Sequence, residues 1–135
     1  MARALIAYMR RAEVPARSAL QRAIDELDLA LTLDHGYVPF ESSGYLPCTL
    51  DGEDAGFDLR FREAAAELAD APSPPGGLDG HDIAISCKWG GDPREEASAL
   101  IVAAALAGHF HALVQRDGDT LSTAQLLAQA KAALA

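Results

Sequence analysis

The sequence predicts a single α+β domain, residues 1–135, built on a mixed or antiparallel sheet of about six strands with three main helices packed mainly on one face. Three observations carry that prediction. Stretches of period two recur along the chain, the clearest being Phe57-Asp58-Leu59-Arg60-Phe61. Two segments carry helix-start chemistry, Asp92-Pro93 with Glu95 and Ser122 with Gln125, each ahead of a run rich in Ala and Leu. The length of 135 residues, with 50% hydrophobic and 23% charged, suits one globular unit that buries its own core.

In order, residues 4–9 form an apolar run of strand length, with a helical turn as the alternative because Ala and Leu carry little β-preference. Pro15 suits the first turn of a helix, and Leu20, Ile24 and Leu27 then recur on one face, predicting an amphipathic helix over 15–27. Leu29, Leu31 and Leu33 alternate with polar residues and Ala30, a half-buried strand that His35-Gly36 ends. Residues 3–34 therefore read as β-α-β. An irregular stretch with Pro39, Ser42, Ser43 and Gly44 follows. Residues 45–50 form a short strand that Pro47 directs to a sheet edge. Asp51-Gly52 signals a hairpin, with residues 53–56 lengthening its loop and residues 57–61 returning.

Residues 63–70 suit a short Ala-rich helix, and residues 71–80, with their prolines and glycines, read as a flexible loop inside the domain. Residues 82–89 form a strand with Ile83, Ile85 and Cys87 on one face. Asp92 caps a helix over 93–107, which Gly108 ends with a left-handed stop. A strand core at 112–114, a turn at Gly118 and a helix over 123–133 complete the chain.

Charge is uneven. Residues 25–82 hold fourteen acids against Arg60 and Arg62, a balance of −12, whereas residues 1–24 stand at +4 and residues 83–135 at −1. The total of −9 argues against nucleic acid, since phosphate binding rests on clustered Lys and Arg. Arg10, Arg11, Arg17 and Arg22 are the only basic group and suit a solvated helix face. No apolar run approaches the ~20 residues of a membrane span, and the start lacks secretory features, so a cytoplasmic location is expected. Cys48 and Cys87 read as small buried hydrophobes in a reducing compartment.

A search for chemistry yields no catalytic, cofactor or metal site. His109 and His111 would share a strand face, but no third and fourth ligand lies at zinc spacing. His81 and His35 accompany a strand start and a turn. Lys88 precedes Gly90-Gly91, the reverse of a P-loop, and the Asp92 carboxylate would occupy the N–H groups a phosphate needs. No serine sits in a Gly-x-Ser-x-Gly setting, and Asp51, Glu53 and Asp54 lack the closing Glu of a calcium loop. Trp89, the lone tryptophan, is either a core plug or an exposed anchor.

Two segments carry a resemblance: residues 43–52 running into Ala55-Gly56-Phe57, and residues 82–92 continuing through Glu95 into the Ala-rich helix. They resemble a family of small, uncharacterised bacterial α+β proteins, a likeness that implies a shared fold and brings no catalytic residues. Such proteins look like immunity proteins of secreted-toxin systems in size, acidity and lack of a catalytic signature. The expected function is thus a non-catalytic binding protein, with no cofactor, that neutralises a cognate toxin; the alternative is a small-molecule-binding or enzymatic domain around Trp89. A basic protein partner is expected to touch Tyr37, Glu41, Asp51, Glu53, Asp54 and Trp89, the carboxylates steering and the aromatics anchoring.

Overall fold

The structure, a computed structural model, describes residues 3–70 and 76–135. Its elements run β1 (Ala4–Met9), a 3₁₀ turn (Arg11–Glu13), α1 (Arg17–Asp25), β2 (Leu31–Leu33), β3 (Gly44–Leu46), β4 (Cys48–Leu50) and β5 (Glu53–Asp54). Then follow β6 (Phe57–Glu63), α2 (Ala64–Asp70), β7 (Ile83–Lys88), α3 (Pro93–His109), β8 (Leu113–Arg116), β9 (Asp119–Leu121) and α4 (Thr123–Leu134). The class is α+β, but the strands divide into two sheets where one was expected. A six-stranded antiparallel sheet has the order β3-β6-β7-β1-β8-β9, and a three-stranded one the order β2-β4-β5. α1, α3 and α4 are the three main helices expected, and α2 is the short helix expected over 63–70.

The expected β-α-β unit is replaced by a strand that leaves its sheet. Both edges of β1 are occupied, by β7 and by β8, so β2 has no place beside it and founds the second sheet with β4. The outer edge of β2 is covered by α1. The Gln21 side-chain oxygen accepts the Leu33 N–H at 2.8 Å, its amide donates to the Leu31 carbonyl at 2.8 Å, and Arg17 donates to the Leu33 carbonyl at 2.7 Å. Side chains here stand in for a neighbouring strand and blunt an edge that would otherwise invite pairing. Arg17, expected on a solvated face, is therefore a structural donor.

The strand expected over 45–50 breaks at Pro47 into β3 and β4, which lie in different sheets. One hairpin register nevertheless runs through both: Leu46 faces Phe57 in the large sheet, and Thr49 faces Asp54 in the small one. The hairpin thus starts in one sheet and ends in the other, bending at Pro47 and Gly56. Its tip is a tight two-residue turn, because Asp51 (φ 55°) and Gly52 (φ 81°) both take the left-handed conformation such a turn requires. Residues 53–54 pair as β5 instead of lengthening the loop. A second Asp-Gly turn, Asp117-Gly118 (φ 53° and 83°), joins β8 to β9, a strand the sequence reading omitted.

α3 is the hub. Residues 97–106 are buried without interruption, so this helix is covered on every side by the sheets, α1 and α4. Burying Leu100, Ile101, Val102 and Leu106 stabilises the fold by about 1.5–3 kcal/mol each before entropy is counted. Asp92 caps it as expected, its carboxylate accepting the Arg94 N–H at 2.9 Å with Pro93 next. Glu95 departs from the capping box and accepts the Gly90 N–H instead, at 3.0 Å. Gly108 is not the stop. It lies inside the helix beside Thr123 of α4, and His111 (φ 59°) takes the left-handed position. α4 opens on the expected Ser122–Gln125 capping box.

α3 packs on one face of the large sheet with α1 and α4 against it, while α2 covers Tyr8 and Ala84 on the other. Arg62 fastens α2 to β6 through Glu67 at 2.6 Å and Asp70 at 2.8 Å. Of the loop expected over 71–80, residues 71–75 lie outside the described residues. No helix among the described residues is long and apolar enough to cross a membrane.

Cys48 and Cys87 are free and buried. Burial, and secondarily Asp34 for Cys48 and Cys48 and Asp58 for Cys87, pushes both thiols up to about 12. At pH 8 neither carries a useful thiolate population, and neither is accessible. An aromatic disulfide reagent is expected to modify no thiol in the native protein and two in denaturant; rapid native labelling at pH 8 would contradict the burial of both.

Candidate functional site

The residues expected to meet a partner separate into three environments. Tyr37 is 5% exposed and packs in the core, where burial and the neighbouring Cys87 raise its phenol well above the ordinary range. It offers no side-chain area to a partner. Glu41 is exposed on the segment between β2 and β3. Asp51, Glu53 and Asp54 are exposed at the tip of the bent hairpin, but Glu53 is engaged by Arg94 at 3.5 Å. Arg94 also donates to the Leu50 carbonyl, so one α3 side chain holds both arms of the tip.

Trp89 is 8% exposed and acts as a core plug. The Arg116 guanidinium stands 5.1 Å from its ring centroid. Arg116, itself 6% exposed, donates to Glu96 at 3.1 Å and to Gln129 at 2.9 Å, tying β8, α3 and α4 together behind the indole. On the other side Trp89 helps line an open cleft of about 370 Å³ with Tyr45, Gly56, Phe57, Lys88 and Glu95. Tyr45 was missed in the sequence reading. It is the most exposed large apolar residue described, at 64%, and the alternation that buries Leu46 and Leu50 was a signal that would have placed it outward.

Part of the acidic charge is paired within the chain. Asp58 pairs with Arg60, Glu63 with Arg11, and Glu67 and Asp70 with Arg62. Asp82 accepts the Arg11 N–H at 2.7 Å, the main reason its carboxyl lies below the usual range. By contrast Asp28, Asp34, Asp51 and Asp54 form no ion pair with any described residue, and all four lie on or beside the three strands of the small sheet. Asp51 is held there by its N–H to the Ala30 carbonyl at 2.9 Å.

The inner face of this sheet is apolar, with Leu31, Leu33, Cys48 and Leu50 buried. Thr32, Thr49 and Asp54 stand in register across its outer face. Together with Asp34, His35 and Pro47 they line a cleft of about 350 Å³. Asp34 is fixed by accepting the Gly36 N–H at 2.9 Å and by its own N–H to the Pro47 carbonyl at 3.0 Å. Two carboxylates and two hydroxyls on a concave wall suit a cationic group.

The histidines do not share a strand face. His109 ends α3 and meets Glu26 at 3.2 Å, whereas His111 lies past the helix and meets Glu13 at 2.5 Å. No group of three His, Cys, Asp or Glu residues among those described is arranged to hold a metal. Comparison with known protein families, characterised proteins and solved structures finds no match for the chain.

Proposed function

We propose that this chain is a non-catalytic, cytoplasmic binding protein for a basic protein partner, acting as an immunity protein that blocks a toxin by covering its cationic cleft. The observation that carries this reading is the sorting of its acids. Asp58, Glu63, Glu67 and Asp70 each pair with an arginine of the chain, while Asp28, Asp34, Asp51 and Asp54, grouped at the small-sheet end, form no ion pair with any described residue. Uncompensated charge gathered at one end steers a partner of opposite sign and orients its approach. Exposed Glu41 adds to that field. The wall beside Tyr45 and Trp89 supplies an aromatic anchor for one of the partner's side chains. A small-molecule site in the Trp89 cleft is the second reading, favoured by a volume of about 370 Å³, within the range of ligand pockets.

The test is co-expression with the product of the adjacent gene, followed by binding kinetics on the purified pair. Wild type is expected to associate fast at low salt and slowly at high salt. The triple variant Asp34→Asn, Asp51→Asn, Asp54→Asn is expected to lose roughly tenfold in association rate at low salt, with its melting temperature unchanged. An unchanged rate from about 20 to 500 mM salt, over which the screening length falls from roughly 20 Å to below 5 Å, would remove the electrostatic reading.

A further inference from the structure

At one end of the large sheet, where β1 finishes and β7 and β8 begin, three segments meet: the 3₁₀ turn, the approach to β7, and the α3–β8 corner. His81 lies between two of them. Its Nδ1 faces the Asp79 carbonyl oxygen at 3.2 Å, and its Nε2 faces the His111 carbonyl oxygen at 3.2 Å. A backbone carbonyl only accepts. A neutral imidazole has a single N–H, so it satisfies one of these oxygens and turns a lone pair toward the other; the imidazolium donates to both. From this geometry we infer that His81 is a proton-operated clasp fastening the segment before β7 to the α3–β8 corner.

The surroundings complete the device. His111, whose carbonyl His81 engages, meets Glu13 of the 3₁₀ turn through Nδ1 at 2.5 Å, and Asp82 accepts the Arg11 N–H of the same turn. The three segments are thus joined in a ring through His81, His111, Glu13, Arg11 and Asp82. Arg10 lines the same small cleft as Glu13, His81 and His111, and pairs with Glu13 at 3.8 Å. The charged groups around His81 therefore divide by sign. Glu13 and Asp82 favour its cation, while Arg10 opposes it. The two-carbonyl geometry suits the imidazolium, so the clasp is closed while His81 carries both ring protons and opens when one is lost. His81 was dismissed in the sequence as a polar residue at a strand start, because the second carbonyl belongs to a residue 30 positions away.

Two readouts on the intact chain test this. Long-range ¹H–¹⁵N spectra distinguish the imidazolium from each neutral tautomer, and amide exchange reports closure at His81, whose N–H bonds the Leu78 carbonyl, and at Ala112, whose N–H bonds the Leu106 carbonyl. Spectra recorded from acid to alkaline pH are expected to show the His81 imidazolium giving way to one neutral tautomer. Protection of both amides, corrected for intrinsic exchange, is expected to fall roughly tenfold with the same midpoint. His81→Gln should show the weakly protected state at every pH, and His111→Gln, which keeps the carbonyl, should retain the His81-linked change. A His81 ring held as one neutral tautomer at acid pH, or protection that ignores its titration, would overturn the inference.

Discussion

Replacing Gly56 with alanine is expected to destabilise the protein by about 3 kcal/mol, a large share of the 5–15 kcal/mol typical of a domain. The added Cβ would lie 2.5 Å from the Leu46 carbonyl oxygen and against the Tyr45 hydroxyl. The tyrosine ring is exposed and can swing aside. The carbonyl is backbone in β3 and retreats only by loosening the pairing with β6. Gly56 lies where the hairpin passes from one sheet to the other, so the strain falls on the bend that sets the acidic tip. Urea unfolding measures it as a lower midpoint at unchanged slope. Gly76→Ala, where the new methyl meets nothing within 4 Å, should stay within about 0.5 kcal/mol of wild type. Equal midpoints for the two variants would show that the hairpin does not close on this glycine.

Arg116→Ala is expected to cost about 2–4 kcal/mol. Removing the guanidinium strands Glu96 and Gln129, and leaves a void beside Trp89. The Glu96 side chain keeps 29% of its surface in solvent, which holds the cost below that of a wholly buried carboxylate. Arg116→Met combined with Glu96→Gln should recover more than half of the loss, because it refills the space and removes the charge together. The lone tryptophan supplies the local readout, and its emission should shift in Arg116→Ala before global unfolding. A spectrum and midpoint identical to wild type would mean that this network holds nothing in place.

Both variants act on features that no reading of spacing reveals. The helix starts at Asp92 and Ser122, the alternation of β6 and β7 and the Asp51-Gly52 turn were legible because each is a local device: a cap, a period or a tight turn lies within a few residues. The burial of the cysteines was legible for the same reason, through their neighbours on strand-like stretches. The end of α3 was not. Gly108 has the composition of a stop, yet the helix runs past it to His109 and the left-handed residue is His111.

The candidate site divides in the same way. Sequence alone determined that the middle of the chain is acidic, that Asp51, Glu53 and Asp54 lie at a hairpin tip, and that Trp89 ends a strand. Only the tertiary structure decided that Glu63 and Glu53 are paired, because Arg11 and Arg94 reach them from distant parts of the chain. It also put Tyr37 in the core, although its stretch is rich in turn residues. Strand allegiance was decided there too. Pro47 and Gly56 read locally as an edge signal and a loop residue, but facing each other across one register they turn a hairpin out of its sheet. Local sequence encodes what each segment prefers; which neighbour satisfies that preference depends on contacts dozens of residues apart, and those exist only once the chain has closed.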